Sequence, residues 1–425
     1  MKFRLLTLGI AMAAASTHVT AGAPNFLDSR AFAMGGVGVA SARPAAASFY
    51  NPAMLAVKQT SKSDGFGLIL PSVAVVATDE DELIDEIDDF EDDFLTPFEN
   101  SIETLKTDLG SAAVAEFNTR TDALDNKLNA LNNDNAIVDI GAGLSVQVPG
   151  QTLGVGVFVS GNARVSATIG YNDSALLNQF RTDVNQAVTD GDPTIDLGYL
   201  EGDLQSNVRA IGAATSQVGV TFAHNFELGG RDIALGISPK MVDFRVYDYS
   251  ADVENFEADD LKDTKKSDTA INFDLGMATY LDDDKRWLFG LSVLNVLKQD
   301  LKTDGRVIAG ATPISVSGLT VELEPTTTAG VSYSGLNYVV AVDLELTESK
   351  AVYLEDDRQF VGIGAEYDLF ETAQFRIGAR HNLAGSSDPI LTTGFGLTLL
   401  GASVELAAMG NSNTLGASFQ VGSTF

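Results

Sequence analysis

Hydrophobic and polar residues alternate along most of the chain, from about residue 63 to the carboxyl terminus. In the last twelve residues, apolar side chains occupy every second position on one face, and small or polar side chains occupy the other. Successive side chains of a strand point to opposite sides of a sheet, so this pattern predicts a strand with one apolar face. The apolar phase continues to Phe425, and we expect lipid to cover this face.

The same alternation predicts about fourteen antiparallel strands, an even number such as bacterial outer-membrane barrels contain. They are predicted at 63–77, 136–148, 151–170, 205–226, 231–251, 268–281, 285–297, 326–334, 336–348, 358–368, 373–382, 390–399, 401–409 and 414–425. The connectors alternate between tight turns and longer loops, as periplasmic turns and extracellular loops do. We therefore predict an all-β fold, a transmembrane antiparallel β-barrel in which the first strand pairs with the last.

The alternation also predicts which side chains point into the barrel. Within each strand after residue 268, the apolar residues occupy alternate positions that face outward. Glu366, Arg376 and Arg380 occupy the positions between them and point inward. We interpret these inward charges chiefly as ion pairs that fill the lumen, with a substrate pathway as the alternative. One strand changes phase between Ile237 and Val242, which predicts a bulge or kink near 238–240.

The segment 78–135 follows a helical period instead. Its apolar residues are spaced by three and four positions, which predicts amphipathic helices broken near Pro97 or Gly110: Leu83, Ile87, Phe90, Phe94, Phe98, Ile102, Leu105 and Leu109. The other face is densely acidic, so we predict a helical insertion over the extracellular mouth. Residues 171–190 are a weaker helix candidate.

The amino terminus has the features of an export signal. Lys2 and Arg4 precede a short apolar run that leads to the small residues around Ala21, so residues 1–21 are predicted to be a signal peptide. The chain has no cysteine, which fits a periplasmic route. Its net charge of −31 argues against nucleic-acid binding by a basic surface.

Residues for catalysis are scarce. Beyond the predicted signal peptide, His224 and His381 are the histidines, and neither lies in a nucleophile-elbow or metal-helix motif. The acidic run is interpreted as a solvated helix face, with loose calcium binding or divalent bridging to lipopolysaccharide as alternatives. We expect no enzyme activity, no catalytic residue, no metal site and no cofactor.

Two groups of residues near the amino terminus carry a specific pattern. Arg30 precedes Met34, Gly35 and Gly36, and the sequence Asn51-Pro52-Ala53 follows. In this order they resemble the start of the FadL-type superfamily of long-chain fatty-acid transporters. Together with 66–72, the acidic insertion and the carboxyl-terminal strands, they resemble most closely the branch of conjugal transfer TraF-like outer-membrane proteins.

The resemblance implies a barrel of fourteen strands with an amino-terminal hatch folded back into the lumen. The hatch residues would be Arg30, Met34, Gly35, Gly36, Asn51, Pro52 and Ala53. The small residues of 31–48 fit inside a barrel, and the alternative is a periplasmic lead-in to the first strand. The resemblance also implies an opening in the wall beside a kinked strand, which we predict where Gly161 and Asn162 interrupt the third strand.

These expectations define three regions: a signal peptide at 1–21, a hatch segment at 22–62, and a barrel at 63–425 that carries the insertion at 78–135. We predict passive uptake of hydrophobic or amphipathic small molecules across the bacterial outer membrane, with Phe90, Phe94 and Phe98 as candidate capture contacts. Packing between insertion helices is the alternative role of these rings. Phe425 is expected to act as the assembly signal. The expected partners are outer-membrane lipid, lipopolysaccharide, the barrel assembly machinery and a hydrophobic ligand, with no nucleic acid. A docking barrel that binds a partner through acidic loops is the alternative function.

Overall fold

A computed structural model describes residues 26–57, 66–79, 83, 86, 90–190, 204–252, 258–308, 314–350, 357–370 and 372–424. Within these residues, fourteen antiparallel strands form one closed barrel, as predicted. The wall strands are β1 Gly67–Asp79, β2 Asn135–Val148, β3 Gly154–Gly170, β4 Asn207–Leu228, β5 Arg231–Asp252, β6 Lys266–Tyr280, β7 Trp287–Leu294, β12 Thr326–Ser334, β13 Tyr338–Glu345, β14 Phe360–Leu369, β15 Ala373–Asn382, β16 Ile390–Leu399, β17 Ala402–Gly410 and β18 Thr414–Thr424.

Four short strands lie between β7 and β12 and form two small hairpins. β8 Gln299–Lys302 pairs with β11 Thr320–Leu323, and β9 Arg306–Ile308 pairs with β10 Ile314–Val316. The α-helices are α1 Ser29–Ala33, α2 Ala47–Tyr50, α3 Thr96–Leu105, α4 Ser111–Ala130 and α5 Ser174–Asp190. Shorter helical turns are Pro44–Ala46, Pro52–Leu55 and Ala258–Thr264, with a π-helical turn at Glu91–Leu95. Among the described residues, no helix combines the length and apolar character that crossing a bilayer requires.

The barrel closes between its first and last strands. β1 pairs with β18 from Gly67 opposite Thr424 to Thr78 opposite Thr414. Pairing on both sides satisfies the backbone groups of both strands, so neither one leaves an open edge. Phe425, the predicted assembly signal, lies outside the described residues, as does the predicted signal peptide.

The bulge lies in a different strand from the one predicted. The register of β1 shifts between Ile69 and Ser72 against both of its neighbours, and Pro71, which cannot donate to the ladder, lies in this bulge. β5 keeps one register against β6 from Ile233 to Val246, so the bulge predicted there is wrong. The ladder of β5 with β4 lacks the pairs of Ser238 and Pro239, and its register does not change across this interruption.

The phase change in β5 has another cause. Val242, Phe244 and Val246 point into the lumen and pack against Val321 and Leu323 of β11. An apolar inner face is stable there because the β8–β11 hairpin covers it and excludes water. The phase change in the sequence therefore marks a buried apolar cluster at the extracellular mouth, and not a bulge.

The outward surface of the barrel is apolar and exposed. Ile271 and Ile377 are each 67 % exposed, whereas their inward neighbours Asn272 and Arg376 are buried. Aromatic rings cluster toward the ends with short turns, where Trp287 lies 4.9 Å from Tyr333 and Phe375 lies 5.4 Å from Phe395, measured between ring centres. An apolar band bordered by aromatic residues is the surface that a bilayer covers.

Helices form a second core beside the extracellular ends of β2 and β3. Phe98 and Ile102 of α3, Phe117 and Leu124 of α4, and Phe180 of α5 are all buried in it. Gly110 lies between α3 and α4, so the helices are broken at one of the two predicted positions. The weaker helix candidate at 171–190 is confirmed as α5. These helices, the turn at Glu91–Leu95 and residues 83, 86 and 90 are called the helical head below.

Candidate functional site

The hatch, residues 26–57, lies inside the barrel and consists of short helices joined by tight bends. All seven residues predicted for it lie in this segment, and all except Gly36 are buried. Arg30, Met34 and Asn51 are at most 3 % exposed. Residues 22–25 and 58–62 of the predicted hatch segment lie outside the described residues.

Glycines of the wall strands let the hatch backbone approach the inner surface of the barrel wall. A Cβ atom at Gly141 would lie 2.6 Å from the Phe26 carbonyl oxygen, and one at Gly154 would lie 2.7 Å from the Leu55 carbonyl oxygen. Real Cβ atoms do not approach other atoms so closely. Further wall glycines face hatch atoms in the same way: Gly67, Gly143, Gly236, Gly276, Gly290, Gly362, Gly364, Gly378 and Gly394. We call these eleven residues the glycine belt; they explain much of the glycine content of the strands.

The Met-Gly-Gly sequence forms a bend against β14 and β15, where Gly35 lies beside the carbonyl oxygens of Ile363 and Ala379. Gly35 and Gly36 have φ angles of +74° and +86°, a region that glycine adopts without steric cost. The Gly35 N–H donates to Thr392 Oγ1 at 2.9 Å. Beyond the bend, the backbone N–H groups of Gly38 and Val39 donate to Asp343 Oδ2 at 2.7 and 2.8 Å. The wall thus fixes the hatch backbone on both sides of the bend.

Asn51 joins two parts of the hatch to the wall. Its Oδ1 accepts from the Ala53 N–H at 3.0 Å and so caps the turn at Pro52–Leu55. Its Nδ2 donates to the carbonyl of Val39 at 2.8 Å and to that of Met277, in β6, at 3.1 Å. Pro52 suits the first position of the turn because that position needs no N–H donor.

Ion pairs hold the hatch against β14, β15 and β17. Arg30 donates to both carboxylate oxygens of Glu366, at 2.9 and 3.1 Å, and Arg376 donates to the same carboxylate at 2.6 Å. Arg376 also donates to Glu405 at 2.8 Å, and Arg43 lies 3.7 Å from that carboxylate. We call these five residues the ionic cluster. Such buried charges need each other, because an unpaired one is costly to bury.

Two cavities lie on opposite sides of the hatch. The upper pocket, about 160 Å³, faces the extracellular loops. Its wall includes Phe26 of the hatch and Phe360 of β14, with the Arg380 guanidinium carbon 5.1 and 3.8 Å from the two ring centres. The lower cavity, about 410 Å³, faces the short turns and is lined partly by hatch residues 40–44. The hatch therefore separates an extracellular pocket from a periplasmic one.

The predicted wall opening is not at Gly161 and Asn162. β3 is continuous there, because Gly161 pairs with Ala142 of β2 and Ser216 of β4, and Asn162 pairs with Gly141 of β2 and Thr215 of β4. A glycine beside a polar residue was mistaken for a break, although strands accept both without loss of pairing. The described ladder between β6 and β7 is shorter than the ladders of β3. It runs from Tyr280 opposite Leu288 to Leu275 opposite Val293, so the extracellular part of β6, from Lys266, extends beyond this ladder.

The predicted capture contacts belong to the helical head. Phe98 is 1 % exposed and stacks on Phe117 at 6.1 Å between ring centres. Phe90 and Phe94 stack on each other at 6.2 Å and are partly buried against the same core. Helix packing, the alternative role of these rings, is what the structure shows. Phe98 is therefore too deeply buried to capture a ligand.

Sequence reasoning identified the hatch residues but not their partners. Asp343, Thr392 and Glu405 lie hundreds of residues from the hatch along the chain. The strand alternation indicates that they point inward, but nothing in the sequence indicates that they contact the hatch. Arg380 was predicted to point inward, but its position between two aromatic rings was not predicted. Phe360 points toward the lumen from the first position of β14, where the alternation begins.

Comparison with known proteins identifies the fold and the family. A solved structure described as the TodX deltaS2S3 mutant monoaromatic hydrocarbon channel is 12 % identical, covers 93 % of this chain and 98 % of its own, and has a TM-score of 0.53. The CymD monoaromatic hydrocarbon channel is 15 % identical, with coverages of 95 % and 98 % and a TM-score of 0.53. The P. putida toluene transporter TodX is 11 % identical, with coverages of 95 % and 99 % and a TM-score of 0.50. At these identities the likeness shows a shared barrel fold.

A search of curated proteins finds no match. The family model for the TraF protein of the F plasmid transfer operon matches residues 48–345, which is more than half of the chain. This match confirms the resemblance to the TraF-like branch. The chain therefore belongs to the family described as F plasmid transfer operon, TraF, protein.

Proposed function

We propose that this protein is a channel of the bacterial outer membrane that admits a hydrophobic or amphipathic small molecule from outside and releases it past the hatch. The observation that carries the proposal is the upper pocket, because the hatch itself supplies part of its wall through Phe26. A molecule in this pocket touches the hatch before it can pass. The outward apolar band supports the location, since it matches the surface that outer-membrane barrels expose to lipid.

The upper pocket indicates the size of the molecule. Its volume of about 160 Å³ is close to that of an engineered protein cavity of about 150 Å³ that binds benzene. Two aromatic rings and several aliphatic side chains offer apolar contacts, and the same pocket is lined by charged side chains of both signs: Asp139, Arg164, Arg358, Arg380 and Asp388. We therefore propose a compound of about one ring, with room for a small polar group. Some structures of similar fold are described as monoaromatic hydrocarbon channels, which supports testing such compounds first.

Uptake in cells tests the proposal. A strain lacking the gene would be complemented with wild-type protein, with Phe360→Ala, or with Asn51→Ala, and given radiolabelled toluene, benzoate and an alkane. We expect wild-type protein to raise uptake of at least one compound, Phe360→Ala to lower it about tenfold, and Asn51→Ala to alter it because the hatch loses its hydrogen bond to Met277 of the wall and two hydrogen bonds within itself. Phe375→Ala is the matched control, because Phe375 lies on the outward face and is 52 % exposed. Equal uptake by all strains across the panel would exclude a transport role.

A second function, docking of a partner to the helical head, is favoured by one observation. The head has its own buried core, built from residues of α3, α4 and α5. A surface with its own core is able to bind a partner without any change in the barrel. Removal of 79–134 separates the two functions: lost partner binding with normal uptake supports docking, and altered uptake supports a role of the head in the channel.

A further inference from the structure

Arg380 of β15 is a buried cation without an ion pair. It is 6 % exposed, and its Nε has no hydrogen-bond partner. Among the described residues, none forms a hydrogen bond or an ion pair with its guanidinium group. Arg30 and Arg376 are also buried, but each donates to Glu366. A buried charge is costly without such a partner, so Arg380 differs from the other buried arginines in a way that a ligand would explain.

The carboxylates near Arg380 are engaged by other groups. Glu345 and Asp139 are near enough to act on Arg380 electrostatically, but both lie beyond ion-pair distance. Glu345 accepts from the Phe360 N–H at 2.9 Å, and Asp139 forms an ion pair with Arg164 at 3.4 Å. Neither carboxylate therefore occupies the N–H groups of Arg380.

The contacts that Arg380 does make leave these N–H groups available. Its guanidinium carbon lies 3.8 Å from the ring centre of Phe360 and 5.1 Å from that of Phe26. Cation–π contacts at such distances use the face of the guanidinium group, whereas its N–H groups point outward in its plane. The rings restrict the orientation of the group, and its free edge matches a carboxylate, which accepts two parallel hydrogen bonds from a guanidinium.

The charges of the upper pocket favour an anion over a cation. Asp388 is exposed at the rim of this pocket, and the other charged lining residues are buried. The described lining residues carry three guanidinium groups and two carboxylates: Arg164, Arg358, Arg380, Asp139 and Asp388. This positive balance contrasts with the net charge of −31 of the whole chain. An anionic ligand complements the pocket, and a cationic one is disfavoured.

We propose that the upper pocket binds an aromatic acid, with the carboxylate on the N–H groups of Arg380 and the ring against apolar lining residues such as Ile137 and Ile390. This inference rests on the proposed channel and narrows its substrate to a monocyclic acid such as benzoate. The volume of about 160 Å³ admits one ring, as the comparison with a benzene-binding cavity indicates.

Binding to the purified full-length protein in nanodiscs tests the ligand class. Isothermal titration calorimetry would compare benzoate with three probes: acetate lacks the ring, benzyl alcohol lacks the charge, and benzylamine carries the opposite charge. We expect benzoate to bind at least tenfold more tightly than each probe. An equal or higher affinity for any of the three would overturn the proposal, because the ring and the negative charge are both required.

Substitutions of Arg380 locate the site. Arg380→Met keeps an apolar stem and removes the donors, and Arg380→Lys keeps the charge and removes the planar fork. We expect Arg380→Met to weaken benzoate binding at least tenfold, Arg380→Lys to weaken it less, and neither to change the affinity for benzyl alcohol more than twofold. Both should fold, as heat-modifiable migration would verify, because no described residue loses an ion pair.

Arg245→Gln is the matched control for these substitutions. Arg245 donates to Asp243 at 2.7 Å and does not line the upper pocket, so the change should alter benzoate binding less than twofold. Equal benzoate affinities of Arg380→Met and Arg245→Gln would refute the site. If Arg380→Met did not fold, equal affinities of Arg380→Lys and wild-type protein would refute it instead.

Uptake in cells separates this proposal from the channel itself. If both are correct, Arg380→Met lowers benzoate uptake about tenfold and changes toluene uptake less than twofold. Uptake of both compounds at wild-type rates by Arg380→Met cells would refute the acid site and leave the channel standing. Benzoate binding that depends on Arg380, without faster entry of any compound than in the deletion strain, would refute the channel and leave the acid site standing.

Discussion

The hatch and the helical head both lie outside the barrel wall, and they are stabilised in opposite ways. Buried residues of the hatch share their apolar clusters with the wall, for example Phe32 with Ala74 and Met409, and Leu55 with Ile69 and Ala223. Buried residues of the head pack mainly against one another, as Phe98 does against Phe117. The hatch therefore depends on the barrel for its core, whereas the head brings its own core.

This difference implies that the two parts respond differently to change. The hatch is fixed by contacts that ligands or mutations at the wall can disturb, so it is the part suited to gating. We expect that the head can unfold with little effect on the lumen, because its main core contains few residues of the wall. Four substitutions follow from this contrast. Trypsin provides the readout for the first three, because Arg30 and Arg43 of the hatch become cleavable when the hatch leaves the barrel.

Glu366→Gln should release the hatch most strongly. The substitution removes the charge that Arg30 and Arg376 share, and breaking a buried ion pair by removing one partner costs about 3–5 kcal/mol. We expect rapid cleavage at Arg30 and a lower unfolding temperature of the barrel, measured by heat-modifiable migration in electrophoresis. The control is Glu116→Gln, which removes an exposed pair with Arg120 and should cost at most about 0.5 kcal/mol. Similar cleavage of both variants would show that the ionic cluster does not hold the hatch.

Phe117→Ala should affect the head alone. Phe117 is fully buried, and truncating such a ring costs about 3–5 kcal/mol. We expect new trypsin cleavage at Arg120 in α4, with the hatch as protected as in wild-type protein. Released hatch fragments would show that the head and the hatch are coupled, and the contrast between them would fail.

Gly364→Val should prevent the hatch from seating. A side chain at this position overlaps the Met34 carbonyl, and overpacking a well-filled interior costs about 1–3 kcal/mol. We expect partial cleavage at Arg30 and larger conductance in planar bilayers. Ala365→Val is the matched control, since Ala365 is the next residue of β14 and points outward. If the two variants leak equally, the glycine belt is not what seats the hatch.

Much of the wall could be predicted from sequence because strand alternation is a local signal. The outward phases of Ile271 and Ile377 were readable from their immediate neighbours. Long-range partners were not, since nothing near Arg30 in the chain indicates that Glu366 lies beside it. The inner apolar cluster of β5 was misread for the same reason: its cover, the β8–β11 hairpin, lies more than fifty residues later and is too short to give a clear pattern.

The hatch segment was predicted from its resemblance to a family, and its physical basis became visible only with the wall around it. Gly35 and Gly36 are required by a bend whose partners are Thr392 and Asp343. The pocket at Arg380 depends on two rings, Phe26 and Phe360, that come from opposite ends of the chain. Neither arrangement has a signature in sequence spacing.

The smallest of the four effects is expected at Asp28, which begins the hatch helix α1. Its Oδ2 accepts from the Ala31 N–H at 3.1 Å, and asparagine caps a helix about as well as aspartate. Burial raises the pKa of Asp28 above its ordinary value of 3.8, and the nearby Glu405 carboxylate adds to this rise. The folded chain therefore binds a proton more readily than the unfolded chain, so its stability falls as the pH rises from the ordinary to the raised pKa.

Asp28→Asn removes this one titration and keeps the cap. We expect the difference in unfolding temperature between Asp28→Asn and wild type to grow in favour of the variant as the pH rises from 3 to neutrality, and to be smallest at the acid end. Heat-modifiable migration across that pH range measures it, and the subtraction cancels the titration of the carboxylates that do not interact with Asp28. A constant difference would mean that Asp28 has no raised pKa in the barrel, and a difference that shrinks with pH would mean that Arg30 and Arg376 hold Asp28 ionised more strongly than burial opposes it.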